Sequence, residues 1–219
     1  MAKSDLTRNI LLVCVCAIAF AFVESSVVVY LRALYYPAGF QFPLHEMSAQ
    51  HLTIETIREI ATIIILITVA LLTGTSRWQK FAFFLIAFGV WDVFYYVWLK
   101  LLLDWPTSLM DWDILFLVPL PWIGPVIAPL AVSVIFVAWG IVILLNHIRT
   151  PSFTPSNLSW IAAILGTGLI LLTFLRDVNA TLHFQMPSPF SYGLFFGGIA
   201  LYLLSLIRES RGLFNHTSR

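Results

Sequence analysis

Charged residues are scarce in this sequence. Of its 219 residues, 11% are charged and 60% are hydrophobic, which leaves too little charge to solvate a water-soluble domain of this length. The basic residues are also few and scattered, so we expect no nucleic-acid partner. The composition predicts an integral membrane protein that forms a single transmembrane domain over residues 1–219, with the lipid bilayer as its surroundings.

Cysteine is nearly absent as well. Cys14 and Cys16 are the two cysteines, and both fall in the first apolar segment. Two positions apart on a helix, their side chains point to different sides, so they suit neither a disulfide nor a metal site.

Familiar catalytic motifs are also missing. The chain has no H-E-x-x-H, C-x-x-C or G-x-S-x-G motif and no glycine-rich phosphate loop. Ser25 and Ser26 follow Glu24, but no histidine or lysine is spaced to activate either hydroxyl as a nucleophile. None of the five histidines lies in a predicted span, so we expect no bis-histidine haem. The sequence indicates no particular cofactor and leaves a divalent metal open.

Long apolar segments dominate what is present. Six of them are long enough, or nearly so, to cross the roughly 30 Å hydrocarbon layer. They predict an all-α fold, a polytopic membrane bundle of about six transmembrane helices. The predicted spans are about 10–34, 52–73, 81–103, 122–145, 158–175 and 190–207.

The basic residues predict the orientation of the bundle. With a cytoplasmic N-terminus, eight of the twelve lysines and arginines fall in inner segments, and six spans return the C-terminus to the cytoplasm. Nine of the eleven acids then fall in the outer half. The eight inner basic residues are Lys3, Arg8, Arg77, Lys80, Arg149, Arg208, Arg211 and Arg219.

Three acids lie inside the predicted spans: Glu24, Glu59 and Asp92. An ionised carboxylate at the centre of a lone helix costs roughly 2.5 to 3.5 kcal/mol or more, so each acid needs a partner, water or a proton. Arg58 and Arg32 are the counter-charges within the same layer. We infer a polar pocket among the first three helices. Ion pairs that only fix helix packing are the alternative interpretation.

Two tyrosines share the helical face of Asp92. Tyr95 and Tyr96 follow it by three and four positions, the spacing that places side chains side by side on a helix. Their hydroxyls can donate to the carboxylate or line a pocket, and packing is again the alternative.

The outer segment 103–129 is apolar but rich in proline. Prolines at 119, 121, 125 and 129 withhold backbone donors, and irregular backbone is not stable in lipid. We predict a re-entrant or interfacial loop that covers the pocket, with Asp111 and Asp113 at its mouth. Histidines from the other outer loops are expected nearby: His45, His51 and His183.

Three functions remain open from the sequence. The first is a protein that binds or transports a small cation, proton or polar molecule in an outward-facing pocket. The second is an intramembrane enzyme acting on a lipid or lipid-linked substrate at the outer leaflet. The third is a non-catalytic subunit of a larger membrane complex, with a membrane-protein partner. The predicted ligand-binding residues are Glu24, Arg58, Glu59, Asp92, Tyr95, Tyr96, Asp111 and Asp113.

Overall fold

The computed structural model of the protein describes residues 3–214. Arg219 and the side chain of Lys3, both among the basic residues assigned to the inner side, lie outside the described part of the chain. The helices and strands, in chain order, are α1 (Lys3–Tyr35), α2 (Ala49–Thr73), α3 (Arg77–Leu103), β1 (Trp112–Phe116), β2 (Trp122–Pro125), α4 (Ile127–Arg149), α5 (Asn157–Leu175), α6 (Val178–Leu182) and α7 (Tyr192–Phe214).

Six of these helices, all except the short α6, account for spans long and apolar enough to cross a membrane. The predicted all-α bundle of about six transmembrane helices is therefore confirmed. The six spans are compatible with a multi-pass integral membrane protein. The cytoplasmic placement of both termini stays a prediction.

A β-hairpin occupies the proline-rich outer segment. β1 pairs with β2 in antiparallel fashion, with Asp113 opposite Gly124. The predicted helix start at residue 122 was wrong, because prolines at 119, 121 and 125 interrupt the helical hydrogen bonds and α4 begins only at Ile127. The hairpin packs on the helices through Ile123, which is 1% exposed. Its depth relative to the bilayer stays a prediction.

α3 is the centre of the bundle. It packs most extensively against α4 and α1, and 56% of the residues in its most apolar segment are buried inside the bundle. Gly89 permits the close approach of α4, since a Cβ atom there would lie 2.5 Å from the Ser133 carbonyl oxygen. This close crossing sets Ser133 beside Asp92, one turn along α3.

α2 lies at the edge of the bundle. Only 22% of the residues in its most apolar segment are buried inside the bundle, and its main neighbour is α3. Most of the helix is therefore free to face lipid, and its buried polar residues Glu55, Glu59 and Thr62 fall on the side turned to α1 and the hairpin.

An apolar layer fills the half of the bundle away from the hairpin. Phe83 and Ile86 of α3 and Ile143 and Leu144 of α4 are each at most 1% exposed. At the far end of this half, the Glu209 carboxylate of α7 accepts hydrogen bonds from the residues that begin α5: the Ser156 backbone N–H at 3.0 Å and the Ser159 hydroxyl at 2.5 Å. The polar groups near the hairpin are thus separated from the opposite end of the bundle by packed hydrocarbon.

Candidate functional site

A cavity of about 120 Å³ lies at the hairpin end of the bundle, between α1, α2, α3 and β1. It is much larger than the roughly 10–15 Å³ that one water molecule requires. Its walls carry five acids, none of them more than 9% exposed, and two arginines. The acids are Glu24, Glu55, Glu59, Asp92 and Asp113, and the arginines are Arg32 and Arg58.

Arg58 joins α2 to α1. Its guanidinium forms an ion pair with Glu24 of α1 and another with Glu55, one turn earlier on its own helix, at 2.8 Å. The Thr62 hydroxyl donates to the second oxygen of Glu24 at 2.8 Å. Both oxygens of the Glu24 carboxylate are thereby satisfied by α2, as a buried charge requires.

Glu59 holds the hairpin. Its carboxylate accepts a hydrogen bond from the backbone N–H of Leu117, at the end of β1, at 2.7 Å. The described contacts of Glu59 include no ion pair, although Arg58 precedes it directly. Glu59 therefore lines the cavity without an ion-pair partner among residues 3–214.

Asp92 is fixed from α4. The Ser133 hydroxyl donates to its Oδ2 atom at 2.7 Å, and the side chain sits in the middle of α3 with 7% exposure. A hydroxyl donor stabilises a carboxylate without neutralising it. Asp92, like Glu59, forms no ion pair within residues 3–214.

Arg32 of α1 and Asp113 of β1 form the part of the cavity wall where the hairpin meets α1. The guanidinium donates to Asp113 Oδ1 at 3.0 Å and contacts the rings of Phe40 and Trp105, at 4.3 and 3.7 Å from their centroids, where the two rings meet edge to face. Asp113 is 2% exposed. This burial raises the pKa of Asp113 to about 6, and the attraction of Arg32 and the nearby Tyr96 hydroxyl offsets only part of the rise.

Aromatic side chains of α3 complete the cavity. Trp91 stacks on Tyr95 with 6.2 Å between ring centroids, and Tyr95 meets Tyr96 edge-on at 5.0 Å. All three line the cavity. Within the described part of the chain, the indole Nε1–H of Trp91 and the Nη1 group of Arg32 are buried and have no hydrogen-bond partner.

Seven of the eight predicted ligand-binding residues thus line one cavity, and Asp111 does not. Asp111 is bound by its own turn: its Oδ2 accepts hydrogen bonds from Thr107 N–H at 2.8 Å and Ser108 N–H at 3.0 Å. Partial burial raises the pKa of Asp111, but these hydrogen bonds outweigh it and hold the pKa below its usual value. Asp113, the second residue of β1, lines the cavity instead.

The outer histidines lie outside the cavity wall. The Nδ1 atom of His51 is 2.5 Å from the Tyr35 hydroxyl, and His45 stacks on Tyr36; both tyrosines line the cavity. His183 instead contacts the Asn179 carbonyl. The expectation that no histidine lies in a span was wrong, because α2 begins three residues earlier than predicted and includes His51. His147 lies in the last turn of α4.

Three residues of the site were not selected from the sequence. Glu55 precedes Arg58 by three positions and Glu59 by four, so helical spacing alone could have placed it on their face. Arg32 was considered only as a counter-charge for the acids of the spans. Ser133 gave no signal, because a lone serine in an apolar helix usually bonds to its own backbone.

Other chemistries find less support. Within residues 3–214, no three His, Cys, Asp or Glu side chains are grouped in a way that could hold a metal ion. Ser25 and Ser26 donate to the carbonyl oxygens of Ala21 and Phe22, each at 2.7 Å, so neither hydroxyl is paired with a base. No family model matches the chain, and no curated protein or solved structure is significantly similar to it.

Proposed function

We propose that this membrane protein binds a small cation in the cavity at its hairpin end and carries it across the bilayer. The observation that supports the proposal is the charge of the cavity wall. Five carboxyl groups and two guanidinium groups line it, which leaves three negative charges if every group is ionised. Such an excess is unfavourable in a low-dielectric environment unless protons or cations balance it.

A purely structural role would predict matched pairs. Arg58 forms ion pairs with Glu24 and Glu55, and Arg32 forms one with Asp113. Glu59 and Asp92 receive only neutral hydrogen-bond donors, the Leu117 N–H and the Ser133 hydroxyl. These two acids are the strongest candidates for direct contact with the cation, because neither forms an ion pair within residues 3–214.

The proposed path begins at the hairpin end, which the distribution of basic residues would put on the outer side, with both termini cytoplasmic. The apolar layer that includes Phe83 and Ile86 closes the other side of the cavity. Release to that side therefore requires a change in packing. α2 is the candidate for the moving element, since it is the least buried of the spanning helices. Its polar contacts with α1 include the Arg58 ion pair, the Thr62 hydroxyl and the hydrogen bond between His51 and Tyr35.

Binding is tested on the purified protein by isothermal titration calorimetry with sodium, potassium and n-propylammonium chlorides. We expect saturable binding of at least one probe, weakened about tenfold or more in Asp92→Asn and Glu59→Gln. Asp104→Asn is the matched control, since Asp104 is an exposed acid paired with Lys100, and it should bind as the parent does. Uptake of the bound cation into proteoliposomes then tests transport.

Two results would overturn the proposal. One is the absence of binding for every probe by protein that is folded and monodisperse. The other is undiminished binding by both Asp92→Asn and Glu59→Gln, which would mean that the carboxylates serve packing alone.

A further inference from the structure

Two buried hydrogen-bond donors in the cavity wall have no protein partner. They are the indole Nε1–H of Trp91, a residue 6% exposed, and the Nη1 group of Arg32, a residue 7% exposed. Donors buried this deeply are nearly always satisfied by protein, water or a ligand. Both residues line the same cavity as Glu59 and Asp92, which form no ion pair among residues 3–214, and as Asp113, whose Oδ2 atom is a buried acceptor without a hydrogen-bond partner in that part of the chain.

The two sets of groups require opposite chemistry from a ligand. The acids attract a positive charge, whereas Trp91 Nε1–H and Arg32 Nη1 can only donate and so require an acceptor such as oxygen. A bare alkali cation satisfies the first requirement and not the second. We infer that the ligand is a small organic ammonium ion that also carries a hydrogen-bond-accepting oxygen, as an amino alcohol does. This inference rests on the proposed function and specifies its ligand class.

The remaining wall fits an organic ion. Besides the charged groups, the cavity is lined by aromatic rings, among them Trp91, Tyr95, Tyr96 and Phe116, and ring faces attract alkylammonium groups while packing on their carbon atoms. The carboxylates are spread over α1, α2, α3 and β1 and do not converge as metal ligands do. The cavity of about 120 Å³ has room for a small organic ion.

The two ends of the ligand have separate places. Its ammonium group lies with Glu59 and Asp92, which form no ion pair with the protein. Its oxygen lies with Trp91 and Arg32. The Nη2 atom of Arg32 is already paired with Asp113, which leaves Nη1 to donate to the ligand. Selectivity for the oxygen therefore depends on two donors, and affinity for the ammonium group depends on the acids.

The test compares ethanolamine with n-propylamine, two ammonium ions of equal heavy-atom count in which a hydroxyl replaces a methyl group. We expect the parent protein to bind ethanolamine about fivefold to tenfold more tightly, the range of one or two net hydrogen bonds. Trp91→Phe keeps the aromatic ring and removes the N–H donor, so it should lose most of this preference with little change for n-propylamine.

Trp78→Phe is the matched control. Trp78 also has a buried indole N–H without a partner among the described residues, but it packs on Phe81 and Trp160, away from the cavity. The preference for ethanolamine should persist in this variant. In ¹⁵N spectra of tryptophan-labelled protein, the indole signal that Trp91→Phe removes should shift with ethanolamine and not with n-propylamine.

The outcomes separate the two proposals. Equal affinity for the two amines in the parent protein overturns the inferred ligand class and leaves cation binding standing. A preference that survives Trp91→Phe, together with a Trp91 indole signal that does not shift in the parent protein, overturns the assignment of Trp91 as a donor to the ligand oxygen. If neither amine binds but sodium or potassium does, the ligand class is again overturned. If no cation binds at all, the proposed function fails and the inference fails with it.

Discussion

Glu59, on α2, accepts a hydrogen bond from the backbone N–H of Leu117, on the hairpin, although 58 positions separate them. The bond ties the least buried spanning helix to the only β-structure among residues 3–214. Among the five acids that line the cavity, Glu59 is also one of the two that lack an ion pair. The position of the hairpin over the cavity and the charge of the cavity wall therefore both depend on this side chain.

Removal of the Glu59 acceptor is expected to loosen the hairpin. Glu59→Ala leaves the Leu117 N–H buried without a partner, at a cost of about 1–3 kcal/mol, so amide exchange over residues 112–118 should accelerate about tenfold. Glu59→Gln retains an oxygen acceptor and should change exchange much less. Hydrogen–deuterium exchange mass spectrometry checks this, with Glu55→Gln as the control one turn away. Unaltered exchange in Glu59→Ala would show that the hairpin is held by its other contacts.

The Glu24–Arg58 pair should be strongly coupled. Glu24 is buried and Arg58 is partly buried, with side-chain exposures of 5% and 21%, so loss of Arg58 leaves the Glu24 charge without an ion-pair partner. In a double-mutant cycle with Glu24→Gln and Arg58→Met, we expect a coupling free energy of about 1–3 kcal/mol. Denaturation in detergent micelles measures it. Additive effects of the two substitutions would mean that α1 and α2 are held together without this ion pair.

The crossing of α3 and α4 should not tolerate a methyl group at Gly89. Its Cβ would lie 2.5 Å from the Ser133 carbonyl oxygen, which is backbone and cannot move aside. Gly89→Ala should lower the free energy of unfolding by about 1–3 kcal/mol, the usual cost of overpacking, and displace Ser133 from Asp92. Gly168→Ala is the control, because no atom lies within 4 Å of a Cβ there. Similar melting temperatures for the two variants would contradict the close crossing.

Asp113 should make stability depend on pH in mildly acidic solution. Its pKa in the folded protein is raised to about 6, so the folded state binds this proton more tightly than the unfolded state does. The resulting stabilisation is complete below the usual carboxyl pKa of about 4 and is lost as the pH rises through about 6. At 1.36 kcal/mol per pKa unit, the loss amounts to at most about 3 kcal/mol.

Asp113→Asn has no proton to lose at this position, so the comparison isolates the effect. The stability of the parent relative to Asp113→Asn should fall between pH 4 and pH 6 and stay level above pH 7, measured by thermal denaturation at each pH. Parallel curves for the two proteins across that range would show that burial does not raise the pKa of Asp113.

The helices were predictable because their physics is local. A membrane-spanning helix needs about 20 apolar residues whatever surrounds it, so α5 and α7 begin within two residues of their predicted starts at 158 and 190. Glu24, Glu59 and Asp92 were identifiable for the same reason, since a carboxylate in an apolar run is costly on any neighbouring helix.

The hairpin was not predictable in this way. Strand pairing between Trp112–Phe116 and Trp122–Pro125 depends on partners brought together by a turn, and the prolines indicated only where a helix could not continue. The sequence also did not distinguish Asp111 from Asp113. Asp111 lies in the turn before β1, where its carboxylate accepts hydrogen bonds from Thr107 and Ser108. Asp113 lies on the strand, so the difference depends on where β1 begins.

The apolar layer beneath the cavity also has an electrical consequence. Because Phe83, Ile86, Ile143 and Leu144 exclude water, the membrane voltage falls mainly across this layer and less across the hydrated space above it. An ion bound beside Asp92 would therefore still have most of the field to cross. Transfer of a unit charge across a full 100 mV changes its free energy by about 2.3 kcal/mol, so under the proposed function the voltage should act mainly on passage through this layer and less on the occupancy of the cavity.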